Sequence, residues 1–523
     1  MARLRQVHEE RRRDISVSPP LEPADHAVEA AREPGPAAFA VRPVAAICLG
    51  LAAVLTALSG RYGFHRDELY FVAAGNRLDW GYVDQPPLTP LLARVSTTLF
   101  GDTPAGLRVV ATLLTVAIVV VAALVARELG GGRGAQTLTA ATVATSSVIV
   151  TTGHMLATAT VDTLIWLVLC LLVLRLARTG DGRWYLAIGA TAGIGVLNKY
   201  LVLLLLAALL VSIAAVGPRR VLCTWWLAAG ALIACAIAAP TVIWQAAHGW
   251  PQLTIASAIN DQNGVENRVL FVPFQLVYTA PLYAPIWLAG LVRLFRDPQV
   301  RWARAFAVAY LLLAALMLVA AGKPYYVIGL LVVMMAAGAE PALRWARRIG
   351  RPWLLPATVV VVAVVYTAAT LPVWPRTALN PVNAMNKEQG EQVGWPELAG
   401  QVATAWREIP EADRGRAVIF TQNYGEAAAI DRYARADGLP RAYSGHMSYA
   451  DWGTPPDSAT GPVLLVRFPA NEKLARQFTG CRVVRRVDNG YGVHNPEQGS
   501  LVELCQGPRL PWSALWHELR HTY

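Results

Sequence analysis

Long apolar runs constrain this chain more than any other feature of its sequence. Runs of about 18 residues or more recur along roughly the first 370 positions, and a run of that length can cross a membrane as an α-helix. The composition agrees, because 55% of the 523 residues are hydrophobic and only 15% are charged, compared with about 25% in ordinary soluble domains. The sequence therefore predicts an α-helical polytopic membrane protein.

Hydropathy predicts about eleven spans. Their approximate centres are Val54, Ile118, Ala144, Leu169, Gly189, Leu206, Leu232, Ala280, Leu312, Val332 and Val362. Arginines concentrate in alternate loops, which places those loops and the N-terminus in the cytoplasm, and an odd number of spans then puts the C-terminus outside. The net charge of +11 reflects these loops and does not indicate nucleic-acid binding.

The chain divides into three regions by composition. Residues 1–40 are charged and rich in Pro and Ala, and no signal-peptide core follows, so they predict a disordered cytoplasmic tail. Residues 41–375 hold the predicted spans and form the transmembrane domain. Residues 376–523 are polar, with short β-type runs and a helix-like segment between them, which predicts a small extracytoplasmic α/β domain.

Two of the six cysteines lie in this polar C-terminal region, at positions 481 and 505. An extracytoplasmic location would allow Cys481 and Cys505 to form a disulfide. They can equally be unpaired residues of a small core, and the sequence leaves both possibilities open.

Unusual polar residues gather where the predicted spans reach the outer face. Asp67 and Glu68 follow the first span, Asp162 precedes the fourth, and Lys199 and Lys323 lie in later outer turns. Ionisable groups at membrane depth are costly and mark substrate pathways or ion pairs. Carboxylates and lysines that converge on one leaflet suggest a site for an anionic lipid and an acid–base reaction.

Most of these residues also have an ordinary structural explanation. Lys199 and Lys323 can be interfacial side chains that extend toward the head groups, and Asp162 can cap the helix that it precedes. The adjacent pair Asp67–Glu68 is hardest to explain in this way. Two neighbouring carboxylates at the mouth of a span repel each other unless a partner uses them.

The first outer loop resembles that of a known family. The stretches RDELY at 66–70 and WGYVDQPPL at 80–88 resemble the bacterial relatives of protein O-mannosyltransferases and lipid A aminoarabinose transferases, in the glycosyltransferase C (GT-C) superfamily. Asp162, NKY at 198–200 and KPYY at 323–326 fall where that family carries an Asp, an L-x-K-Y element and a K-x-Y-Y element. The resemblance covers most of the chain.

The resemblance implies an inverting membrane glycosyltransferase with a polyprenyl-phosphate sugar as donor. Transfer would occur at the outer face of the cytoplasmic membrane, to a hydroxyl of a glycan, a glycolipid or a protein. The sequence names neither the sugar nor the acceptor.

The resemblance also implies roles for individual residues. Asp67 would act as general base, and Glu68 and Asp162 would orient the acceptor or, with Asp67, hold a divalent metal where one is used. The lipid phosphate would be bound by four residues: Lys199, Lys323, Tyr326 and Arg268.

Two other classes of function fit a polytopic chain. A lipid or glycolipid transporter or flippase would show repeated halves and broken helices near the midplane, and the sequence shows no internal repeat. A non-catalytic scaffold or sensor would explain the C-terminal domain but would give Asp67 and Glu68 no task.

Overall fold

The structure is a computed structural model that describes residues 37–522, apart from the side chains at positions 256, 259 and 261. Of the predicted tail, residues 1–40, the first 36 lie outside the described residues. From Ala37 onward the chain forms one compact unit.

The chain up to residue 370 is helical. Its α-helices are α1 Val41–Leu58, α2 Arg66–Gly75, α3 Leu88–Phe100, α4 Pro104–Glu128, α5 Arg133–Ala144, α6 Ser147–His154, α7 Thr158–Thr179, α8 Trp184–Val196, α9 Leu201–Val216, α10 Trp225–Ala247, α11 Pro251–Thr279, α12 Ala284–Arg296, α13 Arg304–Val319, α14 Ile328–Arg348 and α15 Leu354–Thr370.

Many of these helices can span a membrane by length and composition. Six helical stretches of the described part qualify: Val41–Leu58, Pro104–Glu128, Thr158–Thr179, Trp225–Ala247, Pro298–Val319 and Pro324–Arg348. The last two include the short 3-10 turns that precede α13 and α14. A seventh candidate, Gln262–Thr279 with Pro281–Arg296, is bent by 82° at Ala280, whose backbone has a positive φ of 76°. Three shorter apolar helices are α8, α9 and α15.

The span predicted around Ala144 differs from the expectation. The structure has two helices there, α5 and α6, with a break at Thr145 and Ser146. The hydroxyls of both residues lie within hydrogen-bond distance of carbonyls one turn earlier: Thr145 of Ala141 and Ser146 of Thr142, each at 2.8 Å. The total of about eleven spans therefore stays a prediction.

Glycines allow α12 and α14 to approach each other closely. A Cβ on Gly290 of α12 would overlap the carbonyl oxygen of Met334, and a Cβ on Gly338 of α14 would overlap that of Ile286. Small residues that let two backbones approach are the usual basis of helix packing in membranes.

The C-terminal region is an α/β structure, as predicted. Its elements are α16 Asn380–Asn383, α17 Trp395–Arg407, α18 Glu411–Arg414, β1 Val418–Thr421, α19 Tyr424–Tyr433, β2 Ala442–Ser444, β3 Val463–Arg467, α20 Glu472–Ala475, β4 Phe478–Thr479, β5 Arg482–Arg486, β6 Leu501–Cys505, β7 Gly507–Pro508 and α21 Trp512–Leu519. The main sheet has the order β2-β1-β3-β6-β5. Strands β2, β1 and β3 are parallel, and β6 runs antiparallel to β3 and β5.

One hydrophobic core joins this region to the first outer loop. Leu69, Tyr70 and Phe71 of α2 pack in the same buried cluster as Trp395 of α17 and Ile430 of α19. The C-terminal region therefore lies directly on the short helix that carries Asp67 and Glu68.

A disulfide closes the outer edge of the sheet. Cys481 precedes β5, Cys505 ends β6, and the two are bonded. The structure thus decides between the two possibilities that the sequence left open.

We expect this disulfide to stabilise the C-terminal region. It joins residues 24 apart, and closing a loop of that size contributes about 3 kcal/mol to the free energy of unfolding by chain entropy. A double Cys481→Ser, Cys505→Ser variant should lose its C-terminal region to protease at a lower urea concentration. Cys223→Ser with Cys235→Ser, both exposed and free, is the control, and equal urea midpoints for the two double variants would contradict the expectation.

Candidate functional site

The site is built around the N-terminus of α2. His65 precedes the helix, and its Nδ1 accepts the backbone N–H of Asp67 at 3.1 Å. In return the backbone N–H of His65 donates to Glu68 Oε2 at 2.9 Å. This reciprocal cap fixes the first turn, and carboxylates in a first turn also interact favourably with the helix dipole.

Glu68 is fully buried and its carboxylate is fully used. Arg108 of α4 donates Nε to Oε1 at 3.0 Å and Nη2 to Oε2 at 2.7 Å, the bidentate geometry that makes such pairs strong. The backbone N–H of Leu156 also donates to Oε1 at 3.0 Å. Together with the bond from His65, four donors occupy this carboxylate.

Asp67 has the opposite environment. Its side chain keeps 41% of its surface exposed. Oδ1 accepts the Tyr424 hydroxyl at 2.7 Å and Arg66 Nε at 3.3 Å, whereas Oδ2 accepts no hydrogen bond from residues 37–522. Burial would raise the pKa of Asp67, but the charges of Arg66 and His65 and the hydrogen bond from Tyr424 outweigh it and lower the pKa to about 2, so the carboxylate is ionised at neutral pH.

The two predicted lysines are close enough to interact electrostatically with each other. Lys199 Nζ lies 4.6 Å from the ring centroid of Tyr326 and 5.3 Å from that of Tyr325. The pKa of Lys323 is lowered first by burial and then by the charge of Lys199, while Asp67 acts in the opposite direction. Within the described part of the chain, neither ammonium group donates a hydrogen bond to another residue.

Of the other predicted residues, Asp162 is buried and Arg268 is exposed. Asp162 lies in the first turns of α7, where it interacts electrostatically with Lys199, and its Oδ1 has no hydrogen-bond partner among the described residues. It does not cap the helix, because Ala157 holds that position. Arg268 is exposed on α11 and donates to the carbonyl of Val319 at 3.1 Å and to Asn260 Oδ1 at 3.3 Å.

The metal alternative finds little support in this arrangement. No group of three or more His, Cys, Asp or Glu side chains in residues 37–522 is arranged to hold a metal ion. Glu68, one of the three predicted ligands, already has four hydrogen-bond donors on its carboxylate. No step proposed below uses a metal.

Three site residues from the C-terminal region were not predicted. Glu388 and Glu391 approach His65 Nε2 at 3.0 and 3.7 Å, Glu391 also lies 3.3 Å from Arg66 Nε, and Tyr424 bonds to Asp67. The pattern Asn-x-x-Glu at 423–426 is a helix-cap signal that predicts the start of α19. It carries no information that this helix meets Asp67.

Comparisons with known proteins agree with this architecture. The model of the family described as dolichyl-phosphate-mannose-protein mannosyltransferase matches residues 84–244, which include Asp162 and Lys199. No curated protein sequence matches the chain.

Solved structures of two other proteins align with most of this chain. ArnT from Cupriavidus metallidurans bound to undecaprenyl phosphate has a TM-score of 0.58 at 16% identity, with 88% of this chain and 97% of that chain covered. The apo state of the same protein gives 0.57 with equal identity and coverage. Arabinofuranosyltransferase AftD from Mycobacteria gives 0.50 at 15% identity, with 90% of this chain and 40% of that chain covered.

We expect substitution of Glu68 to lower the thermal stability of the protein and substitution of Asp67 to leave it nearly unchanged. Glu68→Ala leaves Arg108 buried without its partner, which costs about 3–5 kcal/mol, and should lower the thermal unfolding temperature of the purified protein sharply. Glu472→Ala removes a pair whose side chains are more than 70% exposed and should change it little.

Asp67→Asn should unfold close to wild type, because that side chain is only partly buried and its partner Arg66 keeps its contact with Glu391. Equal losses of thermal stability in Glu68→Ala and Asp67→Asn would contradict this assignment of roles.

Proposed function

We propose, from the place of this chain in the GT-C superfamily of membrane glycosyltransferases, that it transfers a sugar from a polyprenyl-phosphate donor to an acceptor hydroxyl. One observation carries the proposal. An ionised carboxylate with a free oxygen, Asp67, shares its surroundings with two ammonium groups, Lys199 and Lys323, that have no hydrogen-bond partner in the described chain.

The ammonium groups are suited to the donor phosphate. When the sugar is transferred, polyprenyl phosphate is the leaving group, and cations that are already positioned stabilise the charge that develops on the departing oxygen. Lys199 and Lys323 supply two such charges, and Tyr326 packs beneath Lys199. Arg268 is a further phosphate-binding candidate at the edge of this group.

Asp67 is suited to the acceptor. The acceptor oxygen attacks the anomeric carbon from the face opposite the phosphate, the new C–O bond forms as the C–O bond to phosphate breaks, and the configuration inverts. The acceptor proton passes to Oδ2 of Asp67. A carboxylate with a pKa of about 2 is a weak base, so the proton leaves late, after bonding to carbon has made the acceptor oxygen acidic.

The remaining predicted residues take supporting roles in this scheme. Glu68 holds the start of α2 and thereby the direction of Asp67. Asp162, with an unpaired oxygen beside Lys199, orients that ammonium group or the bound substrates.

The outer face is the proposed side of the reaction. The disulfide between Cys481 and Cys505 is typical of oxidising, extracytoplasmic compartments, and the distribution of arginines puts the N-terminus in the cytoplasm. We place the site at the outer leaflet of the cytoplasmic membrane.

The decisive experiment compares wild type with Asp67→Asn in lipid nanodiscs. A panel of polyprenyl-phosphate sugars is supplied with cell-envelope glycan, glycolipid and protein fractions, and donor consumption is followed by mass spectrometry. We expect wild type to consume one donor and Asp67→Asn to lose at least 100-fold in kcat, in the range for a lost general base. Asp437→Asn, an exposed outer carboxylate, is the control, and full activity of Asp67→Asn would refute the role of Asp67.

A binding measurement tests the phosphate assignment independently of turnover. Lys199→Gln and Lys323→Gln should each weaken binding of polyprenyl phosphate at least tenfold, because each removes a charged contact worth about 1.5–3 kcal/mol. Lys473→Gln, on the exposed helix α20, is the matched control. Unchanged affinity in both site variants would contradict the phosphate assignment, whatever the turnover.

A further inference from the structure

We propose that Tyr424 positions the Asp67 carboxylate, so that the C-terminal region supplies part of the catalytic site. The inference rests on the function proposed above. It assigns a task to a region that could otherwise only brace the outer loops.

The local structure fixes where Tyr424 lies. It is the first residue of α19, and the helix start is held by a reciprocal cap. Asn423 Oδ1 accepts the backbone N–H of Glu426 at 2.9 Å, and the backbone N–H of Asn423 donates to Glu426 Oε2 at 3.1 Å. A capped first turn has a defined direction, so the phenol of Tyr424 leaves the helix at a defined angle.

The next residue allows α19 to approach α2. Gly425 faces Arg66, and a Cβ on Gly425 would lie 2.5 Å from Arg66 Cγ and 3.1 Å from an atom of the Trp395 ring. A larger residue there would have to displace the Arg66 side chain or the Trp395 ring. The glycine therefore lets Arg66, which also contacts Asp67, pack directly against the start of α19.

The ring of Tyr424 is held on three sides. Its centroid lies 4.7 Å from that of Tyr70 and 4.8 Å from that of His446, and the Arg66 guanidinium lies 5.6 Å from it. Tyr70 is itself fixed, because its hydroxyl donates to Asp84 at 2.6 Å. A ring packed in this way holds its hydroxyl in one place.

Contacts further along the interface keep the two regions in register. The backbone N–H of Val83, in the first outer loop, donates to Ser448 Oγ at 2.9 Å. Arg432 of α19 donates Nη1 to Asp102 at 2.9 Å. These bonds and the shared core leave α19 little freedom to move away from α2.

The result is a division between the two oxygens of Asp67. Tyr424 and Arg66 occupy Oδ1 and fix the plane of the carboxylate, while Oδ2 stays accessible on the exposed side. An acceptor hydroxyl can then approach Oδ2 in a defined direction, which is the condition for efficient proton transfer. Tyr424 is thus a positioning residue, since it acts on the acceptor through Asp67.

Tyr424→Phe tests the inference, because it removes only the hydroxyl and keeps the ring packing. We expect kcat to fall about tenfold, as for a misplaced catalytic group, with the KM for the donor unchanged. Tyr443→Phe, whose hydroxyl has no hydrogen bond in the described chain, is the control. Wild-type kcat in Tyr424→Phe would overturn the inference, provided that Asp67→Asn is inactive.

A second readout does not depend on turnover. A carbodiimide labels carboxyl groups in their protonated form, and mass spectrometry of the labelled peptide distinguishes Asp67 from Glu68. Loss of a hydrogen bond to the ionised form raises the pKa of a carboxyl, and a rise of one unit increases its protonated fraction tenfold. We therefore expect Asp67 in Tyr424→Phe to label several-fold faster at pH 5 than in wild type, and Tyr443→Phe to match wild type.

The two readouts keep the hypotheses apart. If wild type consumes no donor, the proposed function fails and the labelling rate alone decides whether Tyr424 controls Asp67. If kcat falls in Tyr424→Phe but labelling of Asp67 is unchanged, the hydroxyl acts by a route other than Asp67 and the inference is wrong.

Discussion

The buried ion pair between Glu68 and Arg108 is the interaction on which the rest of the site depends. Taking two such charges out of water costs several kcal/mol each, and mutual attraction offsets this only when every hydrogen-bonding position is satisfied. Here the carboxylate has four donors, and Arg108 also donates to the carbonyl of Ser59 at 2.6 Å, at the end of α1. The pair therefore ties α1, α2 and α4 together, and through Leu156 the approach to α7, at one point on the side of the helical part that contacts the C-terminal region.

That pair also explains why two carboxylates stand next to each other. Consecutive residues of an α-helix point about 100° apart, so Glu68 turned into the protein leaves Asp67 turned out of it. The repulsion expected of adjacent acids is offset because Glu68 is neutralised by Arg108 and Asp67 by Arg66. One carboxylate holds the helix, and the other stays partly exposed, within electrostatic range of Lys323.

Much of this could be predicted from the sequence, for identifiable reasons. Apolar length and composition predicted the helical membrane part, and strand-like runs predicted the α/β region; both are confirmed by the fold. The first-loop motif pointed to Asp67, but it pointed to Glu68 equally. Neither motif nor hydropathy distinguishes an acid that forms a buried ion pair from one that stays accessible. Tyr424 lies 357 residues from Asp67, and no local pattern encodes a contact over that distance. The break near Ala144 was missed because hydropathy averages over a window and does not detect an interruption of two residues, Thr145 and Ser146.

The distribution of groups suggests how one site can serve two very different substrates. On the proposed function, the phosphate-binding cations come from turns between membrane helices, where a lipid-linked donor can reach them without leaving the bilayer. The groups around Asp67, namely Tyr424, Glu388 and Glu391, come from the C-terminal region, on the side open to water-soluble acceptors. Asp67 lies at the boundary between these two sets. The two sets are also linked electrostatically, because the charge of Glu388 acts on Lys323, so a change among the acceptor-side groups would be felt at the phosphate-binding cations.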